Sequence, residues 1–537
     1  MATRWRRRGQ PGRPARHVRR LAKVAAPVLA VGLGIGTAAS ASAAPSGGGG
    51  TGHGNERARL TEVLATDLDQ YLAARRKADH ISAVSLRVDL PRAEPGIDAV
   101  AGTATYGGSV PVPPNAVWQI GSNTKAFTSV MLLQLEAEGK LSVHDTLGRW
   151  LPQYPAWRHI TIKRLLNMTS GIPDYTEQPA FLRAVASAPA RTFSEAQLAG
   201  YVAHLPVGKA SYRYSNTDYI LAQMIIERVT HDTYAHQLAR RITIPLGLHS
   251  TCFAPYSCPP GTAGRMPTPY NASGSGLPFL VNQPVPKLAL TFGQGAGGIV
   301  ASLRDLTAWD RALYTGKMLP PRQQHELESL VNVFTSQPVR ATSSTDPVAY
   351  GLGVIQATYS PIGLFWTYEG GTAGMRVWHV YDPRTGVVIA LALNSSAASP
   401  DPAGSGPDQD TVDQLGFRVY RALERYGAVA GGVRLGGLRD AQSVAVAGFG
   451  HGCGGQGQQH AGQVVQRHDV VGDVVADHGG VRHGGTGGGF RAGDDDGAAE
   501  AVHGGCPGGG VLALAREHDG DGAAARGQRQ RGQQQVR

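Results

Sequence analysis

The first 43 residues contain no acidic side chain, and residues 427–537 contain no Lys, Asn, Ile, Tyr, Trp or Met. These two absences divide the chain before any motif is considered. The nine bases of the first segment (Arg4, Arg6, Arg7, Arg8, Arg13, Arg16, Arg19, Arg20 and Lys23) supply most of the formal charge of +11. Without them 42 bases face 40 acids, so the excess is localised and does not indicate nucleic-acid binding.

Long apolar runs are also missing. Val24 to Ile35 is broken by Pro27 and glycines, which makes it too short to span a bilayer. Preceded by bases and followed by Ala41-Ser42-Ala43, it reads as a signal peptide over 1–43, with a retained anchor as the alternative. Arg19-Arg20 hints at twin-arginine export, although the residues after it match poorly. The expected protein is secreted, with no further membrane span.

Only four cysteines are present, too few for a disulfide framework in a chain of this length. Cys252 and Cys258 could close a small loop in an oxidising compartment. No Cys/His spacing suggests a metal site, and no cofactor is expected.

In the tail, 31 of 111 residues are glycine and 7 are histidine. The missing types are largely those with A/T-rich codons, which suggests an out-of-frame reading of a GC-rich gene or readthrough of a lost stop. A disordered tail that binds metal or wall polymer is the rival reading. Neither predicts a packed core.

Between the two ends, 44–55 reads as a linker and Glu56 to Lys77 as an amphipathic helix with Leu60, Val63, Leu64, Leu68 and Leu72 on one side. Strands are predicted over Ile81 to Leu90 and near Ala99 to Tyr106. A mostly buried helix then opens at Gly121-Ser122-Asn123-Thr124-Lys125. Residues of about 140–290 carry helical periodicity broken by Pro, Gly and Ser turns, a mostly helical subdomain. Beyond it come a helix at Leu303 to Tyr314 and strands near Gly351 to Ala357, Leu364 to Tyr368, Met375 to Tyr381 and Gly386 to Asn394. A last helix covers Thr411 to Tyr426. Sheet, helical insertion, sheet means one discontinuous α/β (α+β) domain over 56–426, an antiparallel sheet flanked by helices, with a disordered C-terminal tail.

Ser122 and Lys125 stand three apart on the predicted helix and so share a face. A hydroxyl becomes a nucleophile when a neighbour takes its proton, and a desolvated lysine can do so. Alone, the pair fits equally a capping serine and a surface lysine. Downstream come Tyr214-Ser215-Asn216 and Tyr368-Glu369-Gly370-Gly371-Thr372. Taken singly, Tyr214 suits a core aromatic and Asn216 a turn.

Together with Leu165 to Tyr175, Pro245 to Leu248, Gly297 to Leu306 and Tyr350 to Gly353, these motifs make residues 56–426 resemble a known family. It is that of the penicillin-recognising serine hydrolases: class C β-lactamases, D-Ala-D-Ala carboxypeptidases and related esterases. The resemblance implies a β-lactamase/transpeptidase-like fold and an acyl-enzyme at Ser122, activated by Lys125. It makes Tyr214 the proton shuttle and Asn216 a hydrogen-bond partner of the substrate amide. The backbone N–H groups of Ser122 and Thr372 would form the oxyanion hole, with Glu369, Gly371 and Thr372 on the substrate-binding strand.

Where the family usually has Lys or His followed by Thr, this chain is read as Glu369-Gly370-Gly371. A carboxylate there would repel a substrate carboxylate unless paired, with Arg376 the available partner. The expected substrate is therefore a small peptide, including a peptidoglycan stem peptide, or an ester, with an uncharged acyl substrate as the alternative. The non-enzymatic alternative is an inactive module that binds wall peptides. A monomer is expected. His144-Asp145, Ser170 and the scattered histidines read as structural, with His379 the one that warrants inspection.

Overall fold

The computed structural model describes residues 51–91, 95–254, 256–272, 281–287, 290–396 and 411–429, with side chains from 56 onward. All of them lie in one compact unit. The expected signal segment, most of the linker and the tail beyond 429 lie outside the described residues.

The first helix, α1 (Thr51–Arg75), buries Leu60, Leu64, Leu68 and Leu72, a stripe at four-residue spacing. It starts at Thr51, so 51–55 are helical where a linker was expected. Extending a formed helix adds one bond per residue and skips the costly nucleus.

Among the described residues fourteen strands follow: β1 (Ala83–Asp89), β2 (Ile97–Gly102), β3 (Val117–Gln119), β4 (Cys252–Phe253), β5 (Tyr270–Asn271), β6 (Gln283–Pro284), β7 (Ile299–Ser302), β8 (Leu330–Asn332), β9 (Pro338–Val339), β10 (Val348–Tyr350), β11 (Ile355–Tyr359), β12 (Gly363–Gly371), β13 (Arg376–Tyr381) and β14 (Val388–Leu393). Nine form an antiparallel sheet in the order β2-β1-β14-β13-β12-β11-β10-β8-β9. The interior strand β14, Val-Ile-Ala-Leu-Ala-Leu, is buried along its whole length because both faces of the sheet are covered.

On one face lie α1 and the last helix, α5 (Val412–Arg425); on the other lies α4 (Leu303–Tyr314). Two apolar clusters result. The smaller joins α1 and α5 to the sheet, and the larger runs from the other face into the helical region. Two further long helices belong to that region, α2 (Thr124–Ala137) and α3 (Asn216–Thr230). Phe127 of α2 stacks on Trp309 of α4 at 3.9 Å, fastening the two parts together.

The region 140–290 is mostly helical, as its periodicity predicts, but it also contains β4, β5 and β6. These strands are two residues long, too short to show alternation. The small sheet β3-β7-β4 sets the chain leaving the first half beside the chain returning to the second. Ile120 N donates to Ile299 O at 3.1 Å, which fixes Ser122 close to the 294–298 turn. Cys252 and Cys258 form a disulfide. Among the described residues no helix is long and apolar enough to cross a membrane.

Candidate active site

Ser122 lies in a single tight turn, Gly121–Asn123, that feeds directly into α2. The turn presses on the end of β12. Gly121 has φ +52°, and a Cβ there would stand 2.5 Å from Gly371 O. Opposite, a Cβ on Gly370 would overlap Ile120 O at 1.9 Å. Two glycines therefore permit the approach that sets Ser122 against the strand. Asn123 bridges the same contact, its Nδ2 donating to Ile120 O and to Val377 O of β13.

Lys125 is completely buried, which excludes a surface lysine. Its Nζ donates to Asn216 Oδ1 at 2.9 Å and to Ala296 O at 2.8 Å, and lies 3.0 Å from Ser122 Oγ. Burial pushes its pKa down to about 7, against the opposing charges of Asp174 and Asp218. Near neutral pH a large fraction is thus uncharged. Two N–H groups of a neutral amine satisfy the two oxygens that can only accept, so its lone pair is directed at Ser122.

Tyr214 Oη is 2.6 Å from Ser122 Oγ. Burial pushes the Tyr214 phenol pKa up, although the Ser122 and Tyr368 hydroxyls oppose this. The Lys125 ammonium sits over the Tyr214 ring, 4.8 Å from its centre, and not at the hydroxyl. Resting Tyr214 is a protonated acid.

Asn216, expected to meet the substrate amide, is engaged within the protein at both ends. Its Oδ1 accepts from Lys125, and its Nδ2 donates to Asp174 Oδ2 at 2.9 Å. Asp174 also accepts from Asn216 N and Thr176 N. A carboxylate only accepts, so it fixes which end of the amide faces Lys125. Asp174 stands inside a quoted motif, yet nothing in the sequence shows that it backs Asn216.

Strand alternation overturns the reading of β12. Successive side chains point to opposite faces, and Tyr368 is the residue directed to the Ser122 side. It is buried, with Oη 2.9 Å from Tyr350 Oη and a hydrogen bond to Tyr214. Glu369 occupies the opposite face, opposite Trp378 in register, where it pairs with Arg376. The inward position where a cation was expected therefore belongs to Tyr368.

Thr372, expected to supply the second oxyanion donor, is engaged within the protein. Thr372 N donates to Met375 O at 2.9 Å, and Thr372 Oγ1 donates to Gln119 Oε1, so Thr372 is held in the turn after β12. Thr372 and Met375 form a hydrogen-bonded antiparallel pair; Gly371 and Arg376, one step along, do not, so Gly371 N–H points away from β13. On that side β11 begins with Ile355 opposite Thr367, well short of Gly371.

Of the remaining polar residues, Ser170 Oγ donates to Asp218 Oδ1 and accepts from Ile172 N. Asp145 accepts from Ser142 N and Arg149. His379 is buried 3.5 Å from Asp310, its pKa pushed down to about 3 by burial. Among the described residues no group of three or more His, Cys, Asp and Glu side chains is placed to hold a metal.

An antiparallel sheet with a buried Ser–Lys–Tyr cluster at its junction with a helical region defines a class, the β-lactamase and penicillin-binding-protein-like serine hydrolases. The family model described as Beta-lactamase matches residues 68–410, and the chain belongs to that family. Penicillin-binding protein 4* of Bacillus subtilis (strain 168) is 26% identical over 273 residues, 49% of this chain and 57% of that protein. The chain therefore spans little more than half the length of this relative.

Among solved structures, a D-stereospecific amidohydrolase from Streptomyces sp. is 27% identical with a TM-score of 0.51, covering 62% of this chain and 94% of that one. The D-amino acid amidase from Ochrobactrum anthropi SV3 is 24% identical with a TM-score of 0.57, covering 68% and 99%. The latter likeness is one of fold.

Proposed function

We propose that the chain is an exported serine amidohydrolase, working through an acyl-enzyme at Ser122 on acyl substrates that need carry no carboxylate beside the scissile bond. The observation that carries this is the inward face of β12, which offers Tyr368 and Gly370 and no cation. A site that must hold a carboxylate needs a compensating positive group, and this face supplies none. The likeness to a D-stereospecific amidohydrolase supports the same reading. The export part rests on residues 1–43, and the Cys252–Cys258 disulfide is of the kind that persists in oxidising compartments.

The geometry accounts for the bond changes. Neutral Lys125 takes the Ser122 proton as Oγ attacks the acyl carbon. Negative charge then develops on the acyl oxygen, for which the N–H groups of Ser122 and Gly371 are the donors in this reading. Tyr214 gives its proton to the leaving nitrogen as the C–N bond breaks. The acyl-enzyme then holds an ammonium on Lys125 over a phenolate on Tyr214. An attacking water returns a proton to Tyr214 as its oxygen bonds to the acyl carbon, and Lys125 reprotonates Ser122 as the ester opens. The balance is amide plus water to acid plus amine.

The test is intact-mass spectrometry and turnover for the protein and its Ser122→Ala variant with D-phenylalanine amide, a neutral p-nitrophenyl ester and a penicillin. Ser122-dependent turnover of the amide or ester without a stable penicillin adduct supports the proposal. A Ser122-dependent penicillin adduct without amide or ester turnover moves the reading to a D-Ala-D-Ala carboxypeptidase or β-lactamase. A folded protein with no signal is a binding module.

A further inference from the structure

Behind Tyr214 the hydrogen bonds continue. Tyr368 bonds Tyr214, Tyr350 Oη is 2.9 Å from Tyr368 Oη, and Tyr350 in turn neighbours Tyr219. Tyr350, Tyr368 and Tyr219 are buried.

Tyr219 Oη donates to Leu166 O at 2.7 Å, since a carbonyl only accepts, so Tyr350 is the donor where it bonds Tyr219, and its one proton is open to Tyr219 and Tyr368 alike. A Tyr214 oxygen that has given up its proton can only accept; Tyr368 is then its donor, and Tyr350 is placed to donate to Tyr368 in turn.

Resting on the acyl-enzyme reading above, we propose that Tyr368, backed by Tyr350, is a positioning residue that stabilises the charge left on Tyr214 Oη as its proton passes to the leaving group. The step needs no further reactant. The O–H of Tyr368 shortens its bond to the developing phenolate, and the Tyr350 O–H does the same for Tyr368, as hydrogen bonds to charged oxygen strengthen and polarise their neighbours. A buried phenolate without such donors would be costly, because burial alone disfavours the charged form.

Leaving groups separate this role from packing. A p-nitrophenolate departs without a proton, whereas an amine or ethoxide requires one. The experiment compares kcat/KM, which reports acylation, for esters of one neutral acid with leaving alcohols from p-nitrophenol to ethanol, and for D-phenylalanine amide. Tyr368→Phe is expected to lower kcat/KM by about tenfold or more for the ethyl ester and the amide, and by no more than about twofold for the p-nitrophenyl ester. Tyr350→Phe, which removes the hydroxyl behind Tyr368, is expected to change the same ratio in the same direction by a smaller factor. Equal losses across the series in both variants, or no loss, overturn the inference. A wild-type protein that cleaves no member of the series overturns the acyl-enzyme reading itself and this inference with it. If Tyr368→Phe fails to fold, Tyr350→Phe decides.

Discussion

Glu369 Oε1 and Arg376 Nη1 are joined at 2.5 Å across β12 and β13, on the sheet face that packs against α1 and α5. The pair explains how a carboxylate can stand next to Tyr368 on the strand that faces Ser122. It stands back to back with Tyr368, so its charge is neutralised on the far side of the strand.

Glu369→Gln is therefore expected to leave kcat/KM for a neutral ester within about twofold of wild type, while lowering stability by about 1–3 kcal/mol through loss of a largely buried ion pair. Steady-state kinetics and urea unfolding measure the two effects. A large kinetic change with unaltered stability would place Glu369 in the cleft.

The Lys125 pKa of about 7 predicts both a rate profile and a stability profile. As the base must be neutral, acylation rises with pH through about 7. For stability, the folded pKa lies below the unfolded value near 10.5, so the unfolded chain binds more protons between these limits and stability increases from about pH 7 toward 10.5. Lys125→Met should abolish turnover and flatten that rise in Tm, as pH-resolved calorimetry would show.

Asp174 affects the same group from a distance. Its charge raises the Lys125 pKa, and its oxygens fix the Asn216 amide. Asp174→Asn should move the acid limb of the kcat/KM profile to lower pH and reduce the maximum by about tenfold as Asn216 loses its fixed orientation. A uniform loss without a shifted limb would mean a purely structural role.

Gly121 tolerates no side chain. With φ +52° and Gly371 O 2.5 Å from a built Cβ, Gly121→Ala is expected to destabilise by about 2 kcal/mol or more and to suppress acylation, because it pushes Ser122 away from Gly371. Gly139, also at positive φ but with open space around it, is the control: Gly139→Ala should carry the backbone cost alone and keep activity.

Much of this was legible in the chain. Leu60, Leu64, Leu68 and Leu72 announce α1, the stretch from Gly386 to Asn394 announces the strand that becomes β14, and Leu303 to Tyr314 was read with its observed limits. Ser122, Lys125, Tyr214 and Asn216, which the structure brings into one hydrogen-bonded cluster, were each named from the sequence, because a three-residue helical spacing and ordered motifs are local signals. The short strands β4, β5 and β6 were not, since two residues carry no period.

The sequence by itself determined which side chains the candidate site is built from: a hydroxyl one helical turn from a lysine, a phenol and an amide downstream, and a strand ending in glycines. Tertiary structure alone decided what each of them faces. Burial lowers the Lys125 pKa to about 7, Asp174 turns Asn216 toward Lys125, and the pleat of β12 directs Tyr368 inward and Glu369 outward. These are relations between residues tens to hundreds of positions apart, set by desolvation and register, and no local pattern in the chain encodes them.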